Sequence, residues 1–177
     1  QHPHTGDLLP ILAQTGPSAP SGILMPWSDA LGVKGDLLCA DFNLRRISRH
    51  RLSRSGSSYA VETDTFLESD QTDFHPTDVI EDADGSLLVL DTGGWYKLCC
   101  PPSQFWRPDV LGAIYRVKKI GANPPADLRG AKLDWATLRP DRLAKRLGDE
   151  RPAVQQRAIA ALAKRGQPSP TRDKQRG

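Results

Sequence analysis

Between Asp73 and Val117 the chain alternates short apolar bursts with polar breaks. Pro76-Thr77-Asp78-Val79-Ile80 is an extended run, and Pro76 biases the residues before it away from helix. Glu81-Asp82-Ala83-Asp84-Gly85 is a turn whose tightest signal is Asp-Gly. Ser86 to Leu90 is an apolar run that could fill a strand covered on both faces. Asp91-Thr92-Gly93-Gly94 stops it, and Ala113 to Lys118 begins another strand with apolar residues at Ile114 and Val117. The pattern predicts an antiparallel meander.

The same pattern occurs earlier. Gly35-Asp36-Leu37-Leu38-Cys39-Ala40-Asp41 aligns with Gly85-Ser86-Leu87-Leu88-Val89-Leu90-Asp91, and Pro20-Ser21-Gly22-Ile23 with Pro76-Thr77-Asp78-Val79. Arg46-Ile47-Ser48-Arg49 aligns with Ile114-Tyr115-Arg116-Val117, after an insertion between Asp91 and Ala113 that the first copy lacks. A module of about 40–50 residues repeated in tandem predicts β-propeller blades, each a four-stranded antiparallel sheet. The first blade (17–70) has strands at Gly22–Pro26, Asp36–Ala40, Arg45–Leu52 and Tyr59–Phe66, with a surface turn at Ser53–Ser58. The second blade spans 71–120, and its outer strand is not evident.

After Lys119 the composition shifts, and residues 121–133 read as a linker around Pro124-Pro125. Trp135–Leu147 and Pro152–Lys164 then read as two helices within 134–166, with Pro152 suited to a first turn. The apolar stripe Val154, Ala158, Ile159, Ala161, Leu162 cannot be buried by two helices alone, which suggests the first unit of a HEAT-type stack. Residues 167–177 are a polar tail expected to be disordered. The fold class is therefore mainly β, a partial propeller of about two blades followed by a small helical hairpin. A propeller needs four or more blades. The 177-residue chain, which has no initial Met, is accordingly expected to be a C-terminal propeller fragment that associates with missing blades of the same protein.

Net charge is +3 but uneven. Val61 to Asp91 carries acidic residues and no Lys or Arg, whereas bases dominate after Arg139. No aromatic residues are interleaved with those bases for stacking, so they read as a solvated helical face and tail and not as a nucleic-acid site.

Alternating strand direction puts the loop before a blade's inner strand and the loop between its second and third strands on one edge. His75, Asp91, Trp95, Tyr96, Lys97, Cys99, Cys100, Trp106 and Arg107 are thereby expected at one mouth. Trp95, Tyr96, Phe105 and Trp106 could wall a ring-shaped ligand or plug the loop onto its own blade. Arg107 and Lys97 could meet a carboxylate or phosphate, or be rim charges. His2 and His4 lie two residues apart, which allows a shared metal but fits solvated side chains better.

The stretch HPTDVIEDADGSLLVLDTGGWYKLCCPPSQFWRPDVLGAIYRV, preceded by KGDLLCADFNLRRISRHRL and followed by a helix pair, resembles the PVC-type membrane-bound dehydrogenases. Their propeller is similar to that of the glucose/sorbosone dehydrogenases. The resemblance implies an extracytoplasmic, periplasmic or membrane-associated, sugar or alcohol oxidoreductase, with membrane association through parts not present here. It implies pyrroloquinoline quinone (PQQ) and calcium as cofactors; no Cys-x-x-Cys-His for haem occurs in this segment. His75 would be the base that takes a hydroxyl proton, unless it only orders its loop through a backbone carbonyl. Asp91 would support His75, and Asp78 would ligate the metal. The recurrence of Asp91 at Asp41 argues instead, and more strongly, for a structural role capping the turn after each second strand. Trp95, Tyr96, Cys99, Cys100, Trp106 and Arg107 would border the cofactor. Cys99-Cys100 could close a vicinal disulfide, one could pair with Cys39, or both could be unpaired. The alternative to an enzyme is a non-catalytic module that binds glycan or protein.

Overall fold

The computed structural model describes residues 11–94 and 109–166 in two compact units, 1–124 and 125–177. The first is mainly β and, among the described residues, has two antiparallel sheets and no closed barrel. One sheet has the order β1 (Pro20–Leu24), β2 (Leu37–Asp41), β3 (Arg46–Ser55), β4 (Ser58–Glu68). The other has the order β5 (Pro76–Glu81), β6 (Leu87–Asp91), β7 (Ala113–Val117). The second sheet thus has three strands among the described residues where four were expected. The β3–β4 hairpin runs further than its Ser-rich composition suggested: Ser55 pairs with Ser58 across a two-residue turn with Gly56 at φ 60°.

The sequence repeat is a repeat of register. Pro20 pairs with Asp41 and Pro76 with Asp91, and each pair is followed by a bulge. Ile23 then pairs with Cys39 as Val79 does with Val89. One element of the alignment needs correcting. Ala40 pairs with Ile47 and Leu90 with Ile114, so Ile47 corresponds to Ile114 and Arg49 to Arg116. The sequence alignment was one residue out there, and such a slip would turn every side chain of a strand to the opposite face.

The core lies between the sheets. Leu38, Ala40 and Ile47 of the first meet Val79, Leu87 and Val89 of the second, with Val33 and Phe74 completing the cluster. β1 runs beside β5, and Gly22 permits the close approach: a Cβ there would sit 2.5 Å from Asp78 Cα. Glu81, at the end of β5, is 4% exposed. It accepts hydrogen bonds from Trp27 N (2.6 Å), Ser28 N (3.0 Å) and Ser28 Oγ (2.5 Å), clasping the segment after β1 to the second sheet.

The second unit is a helix pair, α1 (Pro140–Arg146) and α2 (Pro152–Gly166). The first helix was expected from Trp135. Pro140 sets its start instead, because a proline ring inside a helix clashes with the carbonyl four residues back, and Arg139 is extended (ψ 157°). Residues 125–139, read in part as linker, belong to this unit. Trp135 Nε1 donates to Gly130 O (2.7 Å), and the Arg157 guanidinium lies 4.5 Å from the Trp135 ring centre. Leu143, Ala153, Val154 and Ala158 are buried. Among the described residues no helix is long and apolar enough to cross a membrane.

Candidate functional site

Two of the predicted site residues meet at the edge where β5 begins and β6 ends. Asp91 Oδ1 accepts the backbone N–H of His75 (2.9 Å) and that of Gly93 (2.8 Å), and Thr92 N donates to His75 O (3.2 Å). Asp91 therefore positions His75 through its backbone and caps the turn after β6 at the same time. The His75 imidazole is held separately: Nδ1 lies 3.0 Å from Asp73 O, and the Phe42 ring lies against it at 4.7 Å between centroids. A carbonyl oxygen only accepts, so the neutral ring carries its proton on Nδ1 and Nε2 is the basic nitrogen. The residue is 8% exposed. Phe42 opens the short 3-10 turn Phe42–Leu44 between β2 and β3, so the connecting loops of both sheets do meet at His75.

Asp41 stands where Asp91 stands in the second sheet. It is fully buried, its Oδ2 takes the Arg46 guanidinium (2.9 Å), and its Oδ1 has no hydrogen-bond partner among the described residues. Burial, reinforced by the negative charge of Asp41, pushes the thiol of neighbouring Cys39 above its ordinary range.

Asp78 is not brought to His75 or Asp91 by any described contact. Its Oδ1 accepts the adjacent Val79 N–H (2.8 Å), and Gly22 packs directly on it. Among the described residues no three His, Cys, Asp or Glu side chains converge, so these residues do not assemble a calcium site. Trp95, Tyr96, Lys97, Cys99, Cys100, Phe105, Trp106 and Arg107 lie outside the described residues, as do His2 and His4.

Three features were missed by sequence reasoning. One is the buried Glu81 clasp, whose only signal is an acidic residue closing an apolar strand. Another is a relay on β3 and β4, buried at Ser48 and His50 and exposed at Thr63. Ser48 Oγ lies 3.1 Å from His50 Nε2, and His50 Nδ1 lies 2.9 Å from Thr63 Oγ1. Ser48 also donates to Cys39 O (3.4 Å), so His50 Nε2–H donates to Ser48 and Thr63 donates to Nδ1. Ser48 is wholly buried on its strand, which makes the relay structural and not nucleophilic.

The third is a cleft of about 610 Å³ between the two sheets, away from their inner strands. Its apolar lining is Leu67, Phe74, Val89, Val110, Leu111, Tyr115 and Val117, and its polar lining is Glu68, Ser69, Gln71, Asp73 and Asp91. Phe74 and Tyr115 stack edge to face at 5.8 Å. This volume falls within the usual range for small-molecule sites. Comparison with family models, with curated proteins and with solved structures found no match to this chain.

Proposed function

We propose that the two sheets are consecutive blades of a β-propeller and that this propeller belongs to an extracytoplasmic sugar or alcohol oxidoreductase resembling the glucose/sorbosone dehydrogenases. In this reading the helix pair opens a HEAT-type stack. One observation carries the architecture. The outward face of the second sheet (Ile80, Leu88, Leu90, Ile114) corresponds in register to the face of the first sheet (Leu24, Leu38, Ala40, Ile47) that the second sheet covers. Ile114 is 69% exposed and its counterpart Ile47 is fully buried. A third sheet stacked on the second as the second stacks on the first would bury that face, and continued stacking with a constant rotation closes a ring.

Within that ring His75 is the base. In this role the imidazole would take the proton of a substrate hydroxyl, and the hydride of the adjoining carbon would pass to the quinone that the test supplies. PQQ and calcium are implied by resemblance alone, and no metal-binding group is assembled among the described residues.

The test is dye-linked oxidation of a panel of sugars and alcohols by the protein carrying the complete ring, with quinone and calcium supplied. His75→Gln is expected to lower kcat by about 10²–10⁴-fold with the circular dichroism spectrum unchanged. Full turnover in that variant would remove the assignment. A glycan- or protein-binding module without catalysis is the second reading, favoured by the engagement of Asp91 Oδ1 with two backbone N–H groups. Binding to a glycan array without dye reduction would establish it in place of the enzyme.

A further inference from the structure

We infer that the open edge of β4 pairs with the β4 of a second copy of this chain, joining two four-stranded sheets into one about a two-fold axis at Val61. The inference rests on neither the dehydrogenase nor the propeller reading, since it uses only the β3–β4 hairpin. β4 is the last strand of its sheet and, at 11 residues, the longest among the described residues. β2 ends opposite His50, so residues 51–62 form a two-stranded ribbon that no third described strand supports. Residues 58–60 and 62–65 are exposed. An open edge invites pairing, and proteins that keep one single place Lys, Pro or a bulge along it. Between Gly56 and Glu68 there is no Lys, Arg or Pro, and the bulge comes only at Phe66, beyond the Ser48–Thr65 pair.

The strand is complementary to itself. Ser55 and Ser58 flank a two-residue turn and so form a hydrogen-bonded pair. Alternation along the ladder then turns the N–H and C=O of Tyr59, Val61, Thr63 and Thr65 to the open edge. All four are aromatic or β-branched, the residue types that strands favour. An antiparallel partner must set these outward residues against its own. A two-fold at Glu62 would put that residue against itself, and one at Thr63 would put Glu62 against Asp64. A two-fold at Val61 sets Tyr59 against Thr63 and Glu62 against Ala60, so no acid directly faces another. Charge within the ribbon is matched before a partner arrives. Glu62 and Asp64 stand across the hairpin from Arg51 and Arg49, and Arg51 Nη2 lies 2.7 Å from Asp64 Oδ2.

Analytical ultracentrifugation of the full chain tests the idea. A monomer–dimer equilibrium with a dissociation constant of about 1–100 µM is expected for an interface this small. As concentration rises, amide hydrogen exchange should slow at Tyr59, Val61 and Thr63. The amides of Ala60, Glu62 and Asp64, already bonded within the hairpin, should not change. Val61→Lys sets two ammonium groups against each other at the axis, and Val61→Pro removes an edge N–H without touching a bond to β3. Each should weaken dimerisation about 10-fold or more with the circular dichroism spectrum unchanged. A chain still monomeric at about 500 µM would overturn the inference. So would a dimer that both variants form equally well, or one whose newly protected amides lie elsewhere.

Discussion

Removing the Glu81 carboxylate should loosen the first unit at one definable place. The side chain is almost fully buried and takes two backbone N–H groups and one hydroxyl from residues 27 and 28. Hydrogen bonds to a charged group are worth about 1.5–3 kcal/mol each, but these three fall on the two oxygens of one carboxylate and do not add. Truncation in E81A also strands two buried donors, so the expected loss is about 3–5 kcal/mol, within the range seen when one partner of a buried polar pair is deleted. E81Q keeps one acceptor oxygen and turns an amide NH₂ toward the remaining donors, for an expected loss of about 1–3 kcal/mol. With a urea dependence of about 2 kcal/mol per molar, E81A should lower the unfolding midpoint by roughly 2 M. Native-state hydrogen exchange should accelerate first at the Trp27 and Ser28 amides. A loss below about 1 kcal/mol in E81A, or unchanged exchange at those two amides, would refute the clasp.

Three other outcomes follow from the same geometry. Gly22→Ala places a methyl 2.3 Å from Asp78 Oδ1 and 2.5 Å from Asp78 Cα, so β1 and β5 must separate; a loss of about 1–3 kcal/mol is expected, and an unchanged thermal midpoint would contradict the packing. Asp84 is held well below the usual carboxylate range by Lys118 first and then by Ser86, and Asp149 by the Arg151 guanidinium. Their folded values lie below the unfolded ones, so this stability is present above about pH 4 and is lost as pH falls further, which an acid titration followed by circular dichroism will detect. For Cys39 the sign is opposite: its raised value costs stability as pH rises past the ordinary thiol range, and in a chain with Cys99 and Cys100 changed to Ser, iodoacetamide should label it far more slowly at pH 8 than it labels an exposed thiol.

The strands of the first unit were legible because period-two patterning, Pro, Gly and Asp act locally. Asp-Gly ends a strand and a buried strand reads as continuous apolar sequence whatever the rest of the molecule does. Pro152 likewise marks a helix start by its own ring, while Pro140 was overlooked as a boundary and the first helix was drawn too long. Of the candidate site, the meeting of the loop ends at His75 followed from strand direction alone. The bonds made by its ring and by Asp91 did not, because a carboxylate that accepts backbone N–H groups and one that ligates a metal look identical as letters.

What tertiary structure alone decided is which face of each strand is buried and against what. The insertion after Asp91 removes the short turn that sets register in a hairpin, so the alignment of β7 depended on cross-strand packing, and Ile114 took the place of Ile47 only in three dimensions. The cleft and the Glu81 clasp are likewise made by residues distant in sequence. Spacing along the chain determined the elements, but not the contacts between residues that no local period relates.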